Sequence, residues 1–234
     1  DRGQRPHQRD RKRPTGRCIQ SVLTRLRLHL LQGHEARYVR AKGVEELLAA
    51  RLADRDGAAA VTVSSVAREV GVKPASLYEH VDGLSALLDG AHVLALRELA
   101  AAVADAVAGL AGADALRAFA DAHRAYATAR PGRWELLQRV ASPSTVASPE
   151  AARVGSLTLA TLRGYPVPDD QRVHAARLVG ATINGYLALT RNDAFSHRAE
   201  PTDVSWRAAV DGLDRALTTW PAEHIHSSDP ENTA

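Results

Sequence analysis

The sequence predicts an all-α protein in which a three-helix head is joined by a long helix to a second helical domain. The composition is 45% hydrophobic but only 4% aromatic, with many alanines, which favours helix over sheet. Apolar side chains also recur at helical spacing in successive segments. In residues 62–81, two such segments are joined through Gly71 with the spacing of a helix-turn-helix.

Length, cysteine content and hydropathy set outer bounds on the class of protein. The 234 residues suffice for one large or two small domains with a core. The single cysteine, Cys18, excludes an internal disulfide framework and a cysteine zinc site, and it is typical of a reducing cytosol. No stretch resembles a signal peptide, and the longest apolar run, residues 178–190, is too short to span a bilayer. We therefore expect a cytoplasmic protein with no membrane partner.

The formal net charge of +3 conceals an uneven distribution. Residues 1–40 hold 11 basic and 3 acidic side chains, or +8, and the remaining 19 basic and 24 acidic side chains leave −5. A basic arm ahead of an acidic body is typical of a nucleic-acid-binding tail. The alternative is a disordered or non-native leader. A short amphipathic helix is also possible at Ser21–Gln32.

The helices of the head are predicted from the residues that can begin and end them. Its first helix covers about residues 37–55 and ends in a turn at Asp56-Gly57. Thr62 can cap the second helix through its hydroxyl, and the apolar stripe of that helix consists of Val63, Val66, Ala67 and Val70. Gly71 permits a tight turn, and Pro74 suits the first turn of a third helix, which reaches about His80 and is shaped for a major groove. The alternative is an ordinary helical hairpin in a core.

The pattern of helices continues to the end of the chain. Further helices are predicted at about Leu84–Gly109, Asp114–Arg130 (with Asp114 as a cap), Arg133–Val140, Pro149–Gly164, Asp169–Thr190 and Thr202–Trp220, with a Ser/Pro loop at 141–149. The resulting domains are a disordered basic leader at 1–35, the head at 36–83, a helical ligand-binding and dimerisation domain at 84–221, and a loose tail at 222–234.

The last two helices predict a contact with a second copy of the chain. The helix at 169–190 is apolar nearly all round from Leu178 to Leu189, so it should be buried on more than one side. Its two glycines suggest close backbone packing, and the final helix carries an a/d seam. The predicted dimer residues are Gly180, Gly185, Trp206, Val210, Leu213 and Leu217. The alternative is a seam inside one subunit.

Polar or aromatic side chains on alanine-rich helices are candidates for a ligand site, because a buried polar group needs a partner. They are His123, Tyr126, Trp134, Gln138, Asn184 and Tyr186. A satisfied core or interface residue is the alternative for each. The sequence has no Gly-rich phosphate loop, no His-Glu-x-x-His and no nucleophile elbow, so we expect no enzyme, cofactor or metal.

These features together resemble the tetracycline-repressor (TetR/AcrR) family of bacterial transcription regulators. The resemblance is strongest over residues 44–99, and its carriers are Thr62, Val66-Ala67, Val70-Gly71-Val72, Ser76-Leu77-Tyr78, His80-Val81 and Leu87-Leu88. The remainder is similar to the branch with a WHG-type ligand domain, through Leu116-Arg117, Tyr126-Ala127, Arg130-Pro131-Gly132-Arg133, Leu162-Arg163-Gly164-Tyr165 and His174-Ala175-Ala176-Arg177.

The resemblance implies an all-helical homodimer that binds a palindromic operator and usually represses until a small molecule releases it. The candidate DNA-binding residues are Arg40, Lys42, Thr62, Ser64, Ser65, Lys73, Pro74, Ala75, Ser76, Tyr78 and His80. Two positions depart from the family pattern: Leu84 stands where a lysine often meets a phosphate, and Glu79 adds a carboxylate to the recognition helix. The alternatives to a regulator are a helical scaffold or ligand-binding protein whose head does not bind DNA, and an all-helical enzyme.

Overall fold

The regular structure of this chain is helical wherever it is described. The computed structural model describes residues 37–79 and 81–221, with side chains from Gly43 onward apart from His80. The leader, the helix predicted at Ser21–Gln32 and the tail lie outside these residues. In the described part no β-strand occurs, and the α-helices are α1 Arg37–Asp56, α2 Val63–Val70, α3 Pro74–Tyr78, α4 Gly83–Val107, α5 Gly112–Ala129, α6 Pro131–Leu137, α7 Pro143–Val146, α8 Pro149–Leu162, α9 Arg172–Arg191 and α10 Thr202–Thr218. The predicted all-α class is confirmed.

The chain from Gly43 onward is one compact unit, while residues up to Lys42 are a separate one. Of the latter unit, only the helical backbone of 37–42 is described. None of the described helices is both long and apolar enough to cross a membrane.

The head has its own core, formed by the inner faces of α1, α2 and α3. Leu48 and Leu52 of α1 are buried against Val66 and Ala67 of α2 and Leu77 of α3. Helix α4 closes this core with Leu87 and Leu88 near its N-terminus. Helix α1 therefore covers the apolar backs of α2 and α3.

The body has a second core, to which the far end of α4 contributes. Leu99 and Val103 of α4 pack there with residues of α5, α6, α9 and α10. At about 1.5 Å per residue, the 25 residues of α4 extend roughly 37 Å, so one rigid helix belongs to both cores.

Three predicted boundaries in the body are corrected. Asp114 does not cap α5: the helix starts at Gly112 and Asp114 lies in its first turn, where a carboxylate still favours the helix dipole. Pro131 both follows α5 and begins α6, because a proline is tolerated at the first helical position. The Ser/Pro loop contains α7, which is capped by Ser142 through a bond from the amide of Thr145.

The a/d seam of α10 lies inside the subunit. Trp206, Val210, Leu213 and Leu217 are between 0% and 4% exposed and belong to the body core. The prediction that these four side chains contact a second copy is therefore wrong, because the body uses them to pack α10 against its own helices.

Helix α9 is buried on one side only, contrary to the expectation for its apolar stretch. Its buried residues are Ala175, Val179, Ile183 and Leu187. On another side, Leu178 and Leu189 are 38% and 48% exposed. A Cβ placed on Gly180 or Gly185 would meet no atom within 4 Å, so neither glycine serves close packing within the chain.

Candidate functional site: the helix-turn-helix and an apolar crevice

The helix-turn-helix is held in shape by hydrogen bonds at its caps. The hydroxyl of Thr62 accepts a bond of 3.0 Å from the amide of Ser65, and the hydroxyl of Ser65 accepts one of 2.8 Å from the amide of Thr62. This reciprocal capping box fixes the start of α2. At the other end, Gly71 has φ 80°, and its amide donates to the carbonyl oxygen of Ala67 over 2.9 Å. The left-handed backbone at this turn is the reason that a glycine is required there.

The capping box corrects one predicted DNA contact. Ser65 is 8% exposed, and its hydroxyl also donates to the carbonyl oxygen of Thr62 over 2.9 Å. A side chain with those bonds is occupied within the fold and is not available to a phosphate. Thr62 is exposed, but its hydroxyl oxygen is engaged as the cap.

The outer surface of the helix-turn-helix carries the remaining described candidates. Leu77 is 2% exposed and fixes α3 to the head core, while the rest of α3 faces solvent. The exposed residues are Ser64, Lys73, Pro74, Ala75, Ser76 and Tyr78, the last at 60%. The side chains of Arg40 and Lys42, and all of His80, lie outside the described residues.

The charge on this surface is mixed. Lys73 and Arg68 are exposed and basic, whereas Glu79 and Asp82 are exposed and acidic. Helix α3 ends at Tyr78, two residues earlier than predicted, so Glu79 is its C-cap. Leu84 is 39% exposed at the start of α4 and offers no charge to a phosphate.

Three of the predicted ligand residues come together in the body. His123 and Trp134 form an edge-to-face pair with ring centroids 6.2 Å apart. Trp134 and Tyr126 belong to the body core, and His123 is buried. Nδ1 of His123 lies 2.8 Å from the carbonyl oxygen of Phe119. Burial lowers the pKa of His123, although that hydrogen bond opposes the shift.

His123 lines an apolar crevice between three helices. Its walls are Leu99, Ala100 and Val103 of α4, Phe119 and His123 of α5, and Val154 and Leu157 of α8. The helices close so tightly on it that it has no room for a water molecule. The sequence indicated His123 but not the apolar walls, because aliphatic residues at helical spacing look the same whether they pack or line a space.

Tyr126 takes part in a partly buried group of charges. Its hydroxyl donates to Glu98 over 3.1 Å, and burial together with that carboxylate raises the pKa of Tyr126. Glu98 also pairs with Arg133 at 3.1 Å, and Arg133 reaches Asp54 of α1 at 3.4 Å. The side chain of Arg133 is 5% exposed. This group, Asp54, Glu98, Tyr126 and Arg133, is called the charge cluster below.

Sequence reasoning missed the role of α6, where the head meets the body. The amide of Arg133 donates to Asp54 over 2.9 Å. A Cβ on Gly132 would lie 1.9 Å from the carbonyl carbon of Ala53, so α6 touches the backbone of α1 directly. Leu136 is fully buried in the head core. The sequence motif Arg130-Pro131-Gly132-Arg133 contributed to the family resemblance, but the sequence did not indicate which residues contact it.

The other three ligand candidates are placed elsewhere or serve the fold. Gln138 is exposed at the end of α6. The hydroxyl of Tyr186 donates to the carbonyl oxygen of Thr202 over 2.6 Å, and its ring packs on Trp206 at 5.2 Å. Asn184 is half-buried on α9. None of these three lines the crevice.

Comparison with known proteins shows that part of the body is similar to a described family of domains. Residues 116–213 match the family model described as "Tetracyclin repressor-like, C-terminal domain". The chain is 28% identical over 169 residues to an uncharacterized HTH-type transcriptional regulator, YobS, of Bacillus subtilis (strain 168), with 70% of this chain and 88% of that protein covered.

Solved structures show the same fold. A protein of unknown function from Rhodococcus sp. RHA1 superposes with a TM-score of 0.63 and 23% identity, covering 76% of this chain and 95% of the other. The TetR family protein ActR of Streptomyces coelicolor, solved in complex with (S)-DNPA, superposes with a TM-score of 0.57 and 15% identity, covering 76% and 96%.

Proposed function

We propose that this chain, which is similar to the tetracycline-repressor family of transcription regulators, is a ligand-responsive DNA-binding regulator, and a homodimeric repressor released from its operator by a small molecule. The observation that carries the proposal is the surface of α3. Lys73, at its N-cap, and Ser76 and Tyr78 are exposed, while Leu77 holds the helix from behind. This is the arrangement by which a recognition helix presents polar groups to a major groove.

The effector site in this proposal is the crevice with His123. The ring of Trp134 contacts that of His123, and Leu136, two residues along the same short helix, is in the head core. A ligand that displaces His123 therefore pushes on α6, and α6 is fixed to α1 through Gly132 and Arg133. The head moves with α6, and its fit to DNA changes.

The homodimer in this proposal uses an outer face that the subunit leaves uncovered. Leu178, Ala181, Gly185 and Leu189 follow one another at helical spacing on α9 and are all exposed. An apolar stripe on a helix needs a cover, and small residues let a second backbone approach. A second copy supplies an identical stripe, and two recognition helices then read two half-sites.

The DNA-binding proposal is tested with DNA taken from beside the gene for this protein. Wild-type protein should retard such a fragment at low salt, and Tyr78→Ala should weaken binding about tenfold, the effect expected for losing a hydrogen bond to a charged phosphate. Val140→Ala is the matched control, because Val140 is 96% exposed in the α6–α7 loop. Failure of every upstream fragment to shift would favour the scaffold alternative.

The dimer proposal is tested by mass in solution. Light scattering should give twice the 25.1 kDa of one chain, and Leu178→Glu should give one chain, since a carboxylate buried in an apolar contact is costly. Val140→Glu places the same charge on a remote exposed residue and should leave the mass unchanged. A Leu178→Glu protein that keeps the mass of a dimer would show that this face of α9 is not the interface.

A further inference from the structure

The charge cluster includes a helix cap that crosses from the head to the body. Helix α6 has no side-chain cap of its own, because its N-cap residue is Arg130, whose side chain cannot accept a hydrogen bond. Asp54 supplies the cap instead: its Oδ1 accepts a bond of 2.9 Å from the amide of Arg133, in the first turn of α6. Asp54 belongs to α1, 79 residues earlier in the chain. The N-terminus of α6 is therefore completed by the head.

The charge of Asp54 does not help its own helix. Helix α1 ends at Asp56, so Asp54 lies in its last turn, where a carboxylate opposes the helix dipole. Alanine would also be the better helix former at this position. The same carboxylate is favoured at the N-terminus of α6, where the dipole has the opposite sign. The role of an aspartate at this position therefore lies in the contact with α6 and not in the stability of α1.

The side chain of Arg133 extends this contact to α4. Its Nε lies 3.4 Å from Oδ2 of Asp54, and its Nη1 lies 3.1 Å from Oε2 of Glu98. Asp54 follows Ala53 of the head core, and Glu98 precedes Leu99 of the body core. The side chain of Arg133 is 5% exposed, and ion pairs with little water around them are screened much less than exposed ones. Arg133 therefore joins one carboxylate at the edge of each core.

The other contacts between the head and α6 are less directional. Leu136 packs in the head core, and hydrophobic burial by itself has no preferred direction. The amide of Ala58 donates to Glu135 over 3.3 Å, but this bond is exposed to water. Asp54 and Arg133 are therefore the pair whose geometry fixes how the head is turned on the body.

Building on the DNA-binding homodimer proposed above, we infer that Asp54 and Arg133 set the angle between head and body, and thereby the spacing of the two half-sites that the dimer accepts. One base pair moves a half-site by about 3.4 Å along the DNA axis and by about a tenth of a turn around it. Two heads held at a fixed angle match one such spacing, and heads released at Asp54 match several. Both residues act by positioning, since the recognition helix and not this pair meets the DNA.

The angle is measured without DNA, as the distance between two spin labels on the full chain. The single cysteine is removed by Cys18→Ser, and labels are attached through Arg68→Cys in α2 and Ser156→Cys in α8, both at exposed residues. An excess of unlabelled protein suppresses distances between subunits. Double electron–electron resonance should give one narrow distance distribution for this chain. Asp54→Ala should broaden that distribution or add a second distance.

Three further variants make this measurement specific. Asp54→Asn keeps an oxygen for the amide of Arg133 but loses the charge, so its distribution should be intermediate. Glu98→Gln removes the charge that holds Arg133 to α4 and should also broaden the distribution. Asp105→Ala makes the matched substitution at an exposed aspartate in the last turn of α4 and should leave it unchanged. Circular dichroism checks that each variant is folded, and a narrow distribution in every folded variant of the pair overturns the inference.

The accepted spacing is measured with duplexes whose two half-sites, taken from the selected operator, are moved apart in steps of one base pair. Wild type should prefer one spacing over its neighbours by about tenfold, and in Asp54→Ala the preference should fall to roughly threefold or less. Asp105→Ala should keep the wild-type preference. An undiminished preference in Asp54→Ala would overturn the link to spacing.

The two measurements separate this inference from the proposed function. If wild type selects no DNA sequence, the proposed regulator fails, and the spin-label distances alone support or overturn the role of Asp54 and Arg133. If wild type selects an operator but the distances and the preferred spacing are the same in Asp54→Ala, the regulator stands and the inference is wrong.

Discussion

His123 is a buried titratable residue through which pH acts on the body. Its ring lies between Phe119 and Trp134 and is 8% exposed. Burial lowers the pKa of the imidazole below its ordinary value of 6.5. The folded protein therefore resists a proton that the unfolded chain accepts.

This difference predicts a loss of stability in mild acid. As the pH falls below 6.5, the unfolded state binds more protons than the folded state, so the free energy of unfolding decreases, by at most about 1.4 kcal/mol per pH unit for one group. The loss levels off below the pKa of the folded state. Urea denaturation of wild type and of His123→Phe measures this loss of stability. The measurements run from about pH 5 to about pH 8, a range that brackets the ordinary histidine pKa. The variant should show a smaller decrease, and an equal decrease would contradict the assignment.

Residues whose roles depend on near neighbours in sequence were predictable, and those with distant partners were not. Thr62 as a cap and Gly71 in a left-handed turn follow from signals within a few residues. Ser65 was misassigned because its role in the capping box, three residues after Thr62, was not considered. The importance of Arg133 depends on Asp54, which is 79 residues away, and no local pattern encodes that pairing.

Among the elements, α6 joins the two parts of the fold in seven residues. Gly132 meets α1, Trp134 meets His123, and Leu136 enters the head core. Its arrangement explains why a glycine is needed at this point: the backbone of α1 occupies the position of a side chain.

Substituting Gly132 should weaken the contact between α6 and α1. In Gly132→Ala the new Cβ would lie 1.9 Å from the Ala53 carbonyl carbon and oxygen, so the helices must separate, at a cost of about 2 kcal/mol or more. Gly155→Ala in α8 is the matched control, since nothing lies within 4 Å of its Cβ position, and it should stabilise by about 0.5–1 kcal/mol. Urea unfolding followed by circular dichroism measures both. A Gly132→Ala protein as stable as wild type would show that α1 and α6 are not in contact.

The existence of the long helices was predictable from their periodicity, but their surroundings were not. The stripe of α10 at Trp206, Val210, Leu213 and Leu217 is real and buried, yet periodicity alone does not say whether the partner is the same chain or another. The apolar stretch of α9 predicted burial on more than one side, but only one face of this helix is covered within the chain. Helix α7 was not predicted because its four residues, which lie among serines and prolines, are too few to show a helical repeat of apolar side chains.

At the scale of the whole molecule, two cores share α4 and are joined by α6 and the charge cluster. The family fold and its head were predictable because the helix-turn-helix signals are contiguous in sequence. The contacts between body and head were not, because they depend on α1, α4, α5 and α6 meeting at Arg133 and Glu98. In the proposed function, the contacts of α6 and the charge cluster transmit the effect of ligand binding to the DNA-binding head.

The central claim is that α3 reads a specific operator, and selection of bound sequences from a pool of random DNA duplexes tests it most directly. The account predicts enrichment of one inverted repeat whose half-sites are separated by about 34–36 Å or a multiple of that distance. Tyr78→Ala should need about tenfold more protein to reach the same enrichment, because a phosphate contact contributes affinity and not sequence preference, and Val140→Ala should behave like wild type. A pool that stays random at moderate salt, where non-specific phosphate binding is weak, would contradict the account.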